Sequence, residues 1–302
     1  MSATGADVSL AAADPVIRRP LAATTRLALR ALALGYLLLL LALPVFTVFW
    51  RTFENGLEPV LQALSRPAFQ SAFWLTLQIT LIAVPINTIF GVIAALALVR
   101  RRFPGRSLLN ALIDLPFAIS PVVIGLALVL VYGNNGWLGG ILEDIGFPVI
   151  FAVPGMILAT LFVSLPFVVR EVMPVLREIG TDQEQAAYTL GASPWTTFWR
   201  VTLPAVRWGV IYGVILTTAR SLGEFGAVAI VSGKISGKTE TLTTHVEERF
   251  HAFDLVGAYA ASIVLALMAL SVLLAMTVVQ SGWIGRRFGH GHQPAAADEA
   301  VR

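Results

Sequence analysis

The chain has 302 residues, 57% hydrophobic and 13% charged, with a mean hydropathy of +0.79. Soluble domains carry about 25% charged residues, so this composition reads as an all-α polytopic membrane protein with no room for a separate soluble domain. The formal net charge of +3 gives no case for nucleic acid, and the lack of cysteine excludes disulfides, thiolate metal sites and cysteine nucleophiles.

Residues 1–25 are Ala-rich, polar and aperiodic, and are expected to form a disordered tail. The apolar run 27–50 beyond them is long enough to cross a bilayer, which takes about 20 residues. It is too long for the core of a cleavable signal peptide and reads as a signal-anchor first span. Further spans are expected at 72–99, 108–132, 149–169, 208–231 and 256–283, which makes six in a membrane domain of 26–285, with a second tail at 286–302. Arg18, Arg19, Arg26 and Arg30 precede the first span. Arg100, Arg101, Arg102 and Arg106 come directly after the second, and Arg170, Arg177, Arg200 and Arg207 lie in the loop 170–207. The other side holds only Arg51, Arg66, Lys234, Lys238 and Arg249. By the positive-inside rule both termini and the loop 170–207 are cytoplasmic.

That loop contains the polar run 181–204, TDQEQAAYTLGASPWTTFWRVTLP, which reads as helix, stop, helix. Thr181 suits an N-cap, with Glu184 at the reciprocal position of a capping box. Gly191 can end the first helix in a left-handed conformation. Ser193 then caps a second helix whose first position, Pro194, needs no N–H. Pro204 is expected to break or kink the chain beyond this element.

Arg220 and Glu224 lie deep in the fifth span. Four residues apart, they would share a helix face and pair, while Gly223 and Gly226 would let another helix approach closely. An unpaired charge at mid-bilayer costs at least about 2.5–3.5 kcal/mol, so the pair should face the interior or a seam, either as part of a path or as a structural pair. In the outer loop 232–255, the stretch 243–253 suggests a short amphipathic helix with Val246, Phe250 and Phe253 on one face. It would either meet a delivering protein or cap the bundle. Pro44, Pro85, Pro116, Pro121, Pro154 and Pro166 each remove a backbone hydrogen bond within a span.

The run 181–204 resembles the signature of bacterial ATP-binding-cassette (ABC) importer permeases: Glu-Ala-Ala, three residues, Gly, nine residues, Ile-x-Leu-Pro. Ala186, Ala187, Gly191, Val201, Leu203 and Pro204 fall in register, with Gln185 at the glutamate position and Val201 at the isoleucine position. The stretches IDLPFAISPVVIG, YGNNGWLGG and ARSLGEFGAVAIVSG are similar to the third span, outer loop and fifth span of sulfate-type permeases, over roughly residues 57–274. The resemblance is nearest to the W-type permease subunit of sulfate/thiosulfate importers.

This resemblance implies a type I importer (MetI-like) fold in a bacterial inner membrane. It also implies a coupling helix made of Glu184, Gln185, Ala186, Ala187, Gly191, Leu203 and Pro204. The partners it implies are a second homologous permease subunit, a dimer of a cytoplasmic ATPase and a periplasmic sulfate/thiosulfate-binding protein, all in a lipid bilayer. ATP and Mg would be handled by the ATPase, because this chain has no Gly-x-x-x-x-Gly-Lys-Ser/Thr loop. No catalytic, cofactor or metal site is expected, and Gly-His-Gly-His at 289–292 reads as tail. Arg220, Glu224, Gly223 and Gly226 are the candidates for the path. Molybdate or tungstate is the alternative substrate, since equal charge and shape do not separate these oxyanions. An ion-coupled secondary transporter should show acidic or histidine residues within several spans, and a membrane enzyme a catalytic cluster at one interface.

Overall fold

A computed structural model describes residues 23–288, with the side chains of 23, 24, 26 and 279–288 left aside. The expected tails 1–25 and 286–302 therefore lie outside the described residues, apart from short inner ends that are helical. All regular elements among the described residues are helices. The chain divides into two compact units, 1–47 and 48–302.

The first unit carries α1 (Ala23–Leu37), one π-helical turn (Leu38–Ala42) and the start of α2 (Leu43–Phe53). The π turn has a plain cause. Pro44 has no N–H, so the ladder slips by one residue just before it, and the Leu43 N–H bonds to the Leu38 carbonyl. The same slip recurs at Phe198–Thr202, where the Leu203 N–H reaches the Phe198 carbonyl ahead of Pro204. Pro204 therefore does not break the helical run, which extends over Pro194–Leu222, but distorts it through this π turn.

In the second unit, α3 (Leu57–Ser65) and α4 (Pro67–Arg100) precede α5 (Arg106–Ala118) and α6 (Pro121–Tyr132). The short α7 (Gly139–Asp144) leads to α8 (Val153–Ile179). Next come α9 (Asp182–Thr189), α10 (Pro194–Thr197), α11 (Leu203–Leu222), α12 (Gly226–Val231), α13 (Leu242–His251) and α14 (Leu255–Phe288). Among the described residues five helical segments are long and apolar enough to cross a membrane, or six if the pair α5–α6 counts as one span.

That pair departs from the expected continuous span 108–132. Its axes differ by 114°, because Pro121 restricts Ser120 to an extended conformation and restarts the helix. The expected span 208–231 is also interrupted. Helix α11 stops at Leu222, and α12 begins at Gly226. Pro121 and Pro154 stand in the first turns of α6 and α8 and cost no ladder bond there. Pro85, Pro116, Pro166 and Pro174 lie within helices.

Helix α8 is the axis of this unit, packed along α4 on one side and α11 on the other. Glycines set the distances. A Cβ on Gly91 of α4 would lie 2.6 Å from Val168 Cβ, and one on Gly213 of α11 would lie 2.8 Å from Val168 Cα. Close backbone approach through small residues is the normal mode of helix association in lipid. Between the two apolar clusters of the α4–α8 seam, Asn87 donates to Ser164 Oγ (2.8 Å) and to the Leu161 carbonyl (3.0 Å). These bonds sit in the turn that Pro166 loosens.

Helix α13 is shorter than the stretch 243–253 read from the sequence, and it turns a different face inward. Leu242, Thr244 and His245 are buried, and the Leu242 N–H donates to Thr76 Oγ1 of α4 at 2.8 Å. Phe250 and Phe253 are exposed. The helix ends at His251 and Phe253 takes a left-handed φ of 59°, so the helical spacing assumed for that face does not reach it.

Under α13, His245 Nδ1 lies 2.7 Å from Glu240 Oε1, with both side chains almost fully buried. Burial opposes the Glu240 charge, but hydrogen bonds from His245 and Ser236 hold its pKa below the usual carboxylate range. Burial pushes the neighbouring Glu248 up, and the Glu240 charge adds to the effect. A carboxyl raised in the folded state favours folding at low pH and loses that contribution as pH rises through the folded value.

Two outcomes are expected for the detergent-solubilised protein. His245→Ala should lower its stability by about 3–5 kcal/mol, the usual result of leaving a buried charge unpaired. Glu248→Gln should raise the melting temperature at neutral pH, and the gain should vanish as pH falls into the ordinary glutamate range. Thermal unfolding recorded at several pH values checks both.

Candidate coupling element and translocation site

The segment from α9 through α10 folds by local rules. Helix α9 ends in a Schellman motif: the Gly191 N–H bonds to the Tyr188 carbonyl and the Ala192 N–H to the Ala187 carbonyl, both at 3.0 Å. Gly191 has φ 84°, the left-handed value expected of it. Ser193 caps α10, accepting the Thr196 N–H at 3.2 Å, and Pro194 occupies its first turn. Gln185 and Ala186 are exposed and Ala187 is half-buried, with Leu203 half-buried and Pro204 exposed at the start of α11.

The N-terminal end of α9 departs from the expectation. Thr181 stands at the N-cap position, its carbonyl accepting the Gln185 N–H at 2.9 Å, but its side chain caps no backbone N–H: the hydroxyl accepts from Gln185 Nε2 at 3.0 Å. No capping box forms. Glu184 turns inward, where Oε2 lies 3.1 Å from Arg100 Nε and Oε1 accepts Thr202 Oγ1 at 2.9 Å. Arg100 also donates to the carbonyls of Leu176 (3.0 Å) and Gly180 (2.6 Å), the last groups of α8. A charged fork that satisfies orphan helix-end carbonyls is stronger than a reciprocal cap.

Sequence reasoning missed Arg100 and Thr202, and the basic run 100–102 was its only signal. It also missed the apolar surface that the element presents. Leu190 is 88% exposed and Trp195 70%, with Tyr188 and Trp199 about half exposed. The Trp195 and Trp199 rings meet edge-on at 5.6 Å. Exposed aromatic patches of this kind occur at protein–protein and membrane interaction sites.

Arg220 and Glu224 do pair, at 2.7 Å. Their geometry is not that of one helix face, because Glu224 lies beyond the end of α11. Its Oε1 accepts the Ala227 N–H at 2.9 Å and so caps α12, and its carbonyl accepts Thr243 Oγ1 at 2.8 Å. The Glu224 side chain is 2% exposed against 31% for Arg220. Arg220 lines a cavity of about 330 Å³ at the α5–α6 break, together with Ser120, Pro121, Val163 and Phe167. Gly226 approaches the same corner, where an added Cβ would lie 2.9 Å from Pro121 Cβ. Gly223 does not serve close packing as expected. The nearest atom to an added Cβ is the Ala219 carbonyl oxygen of its own helix, at 3.7 Å, and Gly223 lines a different, apolar groove with Phe225 and Val246.

A further, partly exposed charge pair is accounted for by packing. Arg170 of α8 donates through Nε to Asp114 Oδ1 at 2.7 Å and through Nη2 to Asn110 Oδ1 at 3.1 Å, which fixes α5. Among the described residues no group of three or more His, Asp or Glu is placed to hold a metal ion.

Residues 87–285 match the family of the binding-protein-dependent transport system inner membrane component. The chain is 53% identical over 260 residues to a sulfate transport system permease protein of Synechocystis, covering 86% of this chain and 92% of the relative. It is 48% identical over 241 residues to the corresponding Escherichia coli K12 protein, covering 80% and 83%. Its fold matches a bacterial alginate ABC transporter solved in complex with a pentasaccharide-bound periplasmic protein, with a TM-score of 0.71 at 17% identity over 89% of this chain and 96% of that one. The chain therefore belongs to the binding-protein-dependent inner membrane components, the multi-pass permeases of ABC importers, and within them to the sulfate transport system permeases.

Proposed function

We propose that this chain forms half of the path of an ATP-driven importer for sulfate or thiosulfate. Its α9–α10 element docks on a cytoplasmic ATPase dimer, and a second, homologous permease subunit completes the path. A periplasmic binding protein delivers the anion on the opposite face, as the alginate importer's solved complex holds its own periplasmic protein. Both termini and the α9–α10 element face the cytoplasm, a reading supported by the Lys and Arg distribution. ATP and Mg bind to the ATPase, and this chain binds no cofactor. The observation that carries the reading is the α9–α10 element itself: an exposed aromatic surface on a turn set by Gly191, joined by Arg100 to the ends of two spanning helices.

Energetics require the external drive. At about 100 mV, inside negative, each charge moved is worth about 2.3 kcal/mol, so an entering dianion faces about 4.6 kcal/mol before any concentration gradient. Arg220 supplies a positive field beside the cavity at the α5–α6 break. Glu224, held by its cap on α12, moderates that field so the anion leaves again, since conduction needs weak binding at each step.

Gly191→Val tests the docking reading. A side chain at φ 84° costs about 1–2 kcal/mol locally and opens the Schellman turn. The expected result is normal membrane abundance with loss of ATPase co-purification and of sulfate uptake; retention of both would refute the assignment.

Arg220→Gln tests the path. Uptake by the reconstituted importer should fall at least about 10-fold, the loss of one charged hydrogen bond to the anion. The Gln side chain can still donate to Glu224, and assembly and basal ATP hydrolysis measured alongside separate this loss from the cost of unpairing that buried carboxylate. Glu224→Gln keeps the acceptor for Ala227 and removes the charge, so KM and kcat for uptake should both fall as the anion is held more tightly.

A further inference from the structure

Helix α9 is held in an unusual way. None of its residues is buried, so apolar packing does not fix it to the bundle. Glycines with positive φ flank it, Gly180 at 67° and Gly191 at 84°, so its chain connections are turns rather than continuous helix. Glu184, by contrast, is only 16% exposed and Arg100 15%. Through these two side chains α9 is tied to the last residue of α4, to the last carbonyls of α8 and, by Thr202, to the residue before α11. These are the three helices that close on one another at Gly91, Val168 and Gly213. Two of them line the Arg220 cavity, α8 through Val163 and Phe167 and α11 through Arg220.

We propose that the Arg100–Glu184–Thr202 clasp is the mechanical link that carries displacement of α9 into the bundle, with Arg100 and Glu184 as positioning residues for transport. This rests on the reading that α9 docks on the ATPase. A guanidinium suits the task because its planar fork holds a carboxylate and two carbonyls at once in fixed directions, which an ammonium on a flexible stem does not. Without the clasp, movement of α9 is absorbed at Gly180 and Gly191, and ATP is hydrolysed without moving α4 and α8. The clasp thus sets how much transport each ATP yields, and leaves the ATPase surface and the anion cavity as they are.

The test uses the assembled importer in proteoliposomes with its binding protein, and reads sulfate taken up per ATP hydrolysed. Arg100→Gln and Glu184→Ala should each assemble at normal abundance and retain basal ATP hydrolysis, while uptake per ATP falls about 10-fold or more. Thr202→Val, which removes one arm of the clasp, should fall less. The double variant Arg100→Gln with Glu184→Ala should be no worse than either single variant, because the residues act as a unit. This chain contains no cysteine, so Arg100→Cys with Glu184→Cys can be bridged by a bis-methanethiosulfonate linker. Bridging should restore uptake per ATP and reduction should abolish it again within one preparation, which separates a mechanical link from a folding defect.

Normal coupling in Arg100→Gln, or a bridged pair that couples no better than the open one, overturns the proposal. Cross-linking of Tyr188→Cys to the ATPase separates the two levels. If that contact forms while Arg100→Gln couples normally, the clasp alone is wrong. If it does not form in an otherwise wild-type chain, the docking assignment falls and the clasp proposal with it.

Discussion

Two glycines on different helices close on a single residue, Val168 of α8, and the arrangement of the second unit depends on that contact. In a bilayer no hydrophobic effect drives one apolar helix onto another, so close backbone approach has to supply the attraction. Gly91 and Gly213 let α4 and α11 reach the backbone of α8, and Gly209 extends the seam to the Glu171 carbonyl. Helices α4, α8 and α11 therefore behave as one block. Its polar requirements are met inside it, by Asn87 and Ser164 at the loosened turn and by Arg100 at the C-terminal end of α8.

Against this block the chain places shorter, interrupted helices. The α5–α6 corner and the α11–α12 break meet where Gly226 touches Pro121 and Gly125 touches the Ala227 carbonyl. Each break frees backbone groups that lipid cannot satisfy, so such breaks occur only where protein or a water-filled cavity surrounds them. Here one freed N–H is satisfied by Glu224, and the corner opens on the cavity that Arg220 lines. The same irregularity that interrupts the spans supplies a polar surface within them. Regular, uninterrupted helices would offer no comparable place for a charged side chain within the spans.

The coupling element stands at the other limit of order. Its internal geometry comes from backbone rules, a Schellman turn and an N-cap, while its polar attachment runs through Glu184 to Arg100 and Thr202. On the docking proposed above, this division suits a part that presents a constant surface to the ATPase and passes force to several helices. Strong charge-assisted bonds carry direction, whereas an apolar seam would slide.

The sequence by itself determined what depends on composition and on neighbours a few residues away. The long apolar runs, the Gly191 turn and the Ser193–Pro194 restart are local and were legible, although the spans expected at 108–132 and 208–231 are interrupted. The pairing of Arg220 with Glu224 was legible from spacing too, although the helix between them ends before Glu224. The tertiary structure alone decided the role of Glu184. A capping box was a sound local reading, but Arg100, 84 residues away, and the orphan carbonyls of α8 compete for the same carboxylate and win. It likewise decided which face of α13 is buried, since Thr76 and the floor of α4 select Leu242 and His245 over Phe250 and Phe253. A local pattern fixes a backbone conformation, because its partners arrive with the chain. A side chain that can serve either its own helix or a distant one is assigned only when packing brings the distant donor within reach.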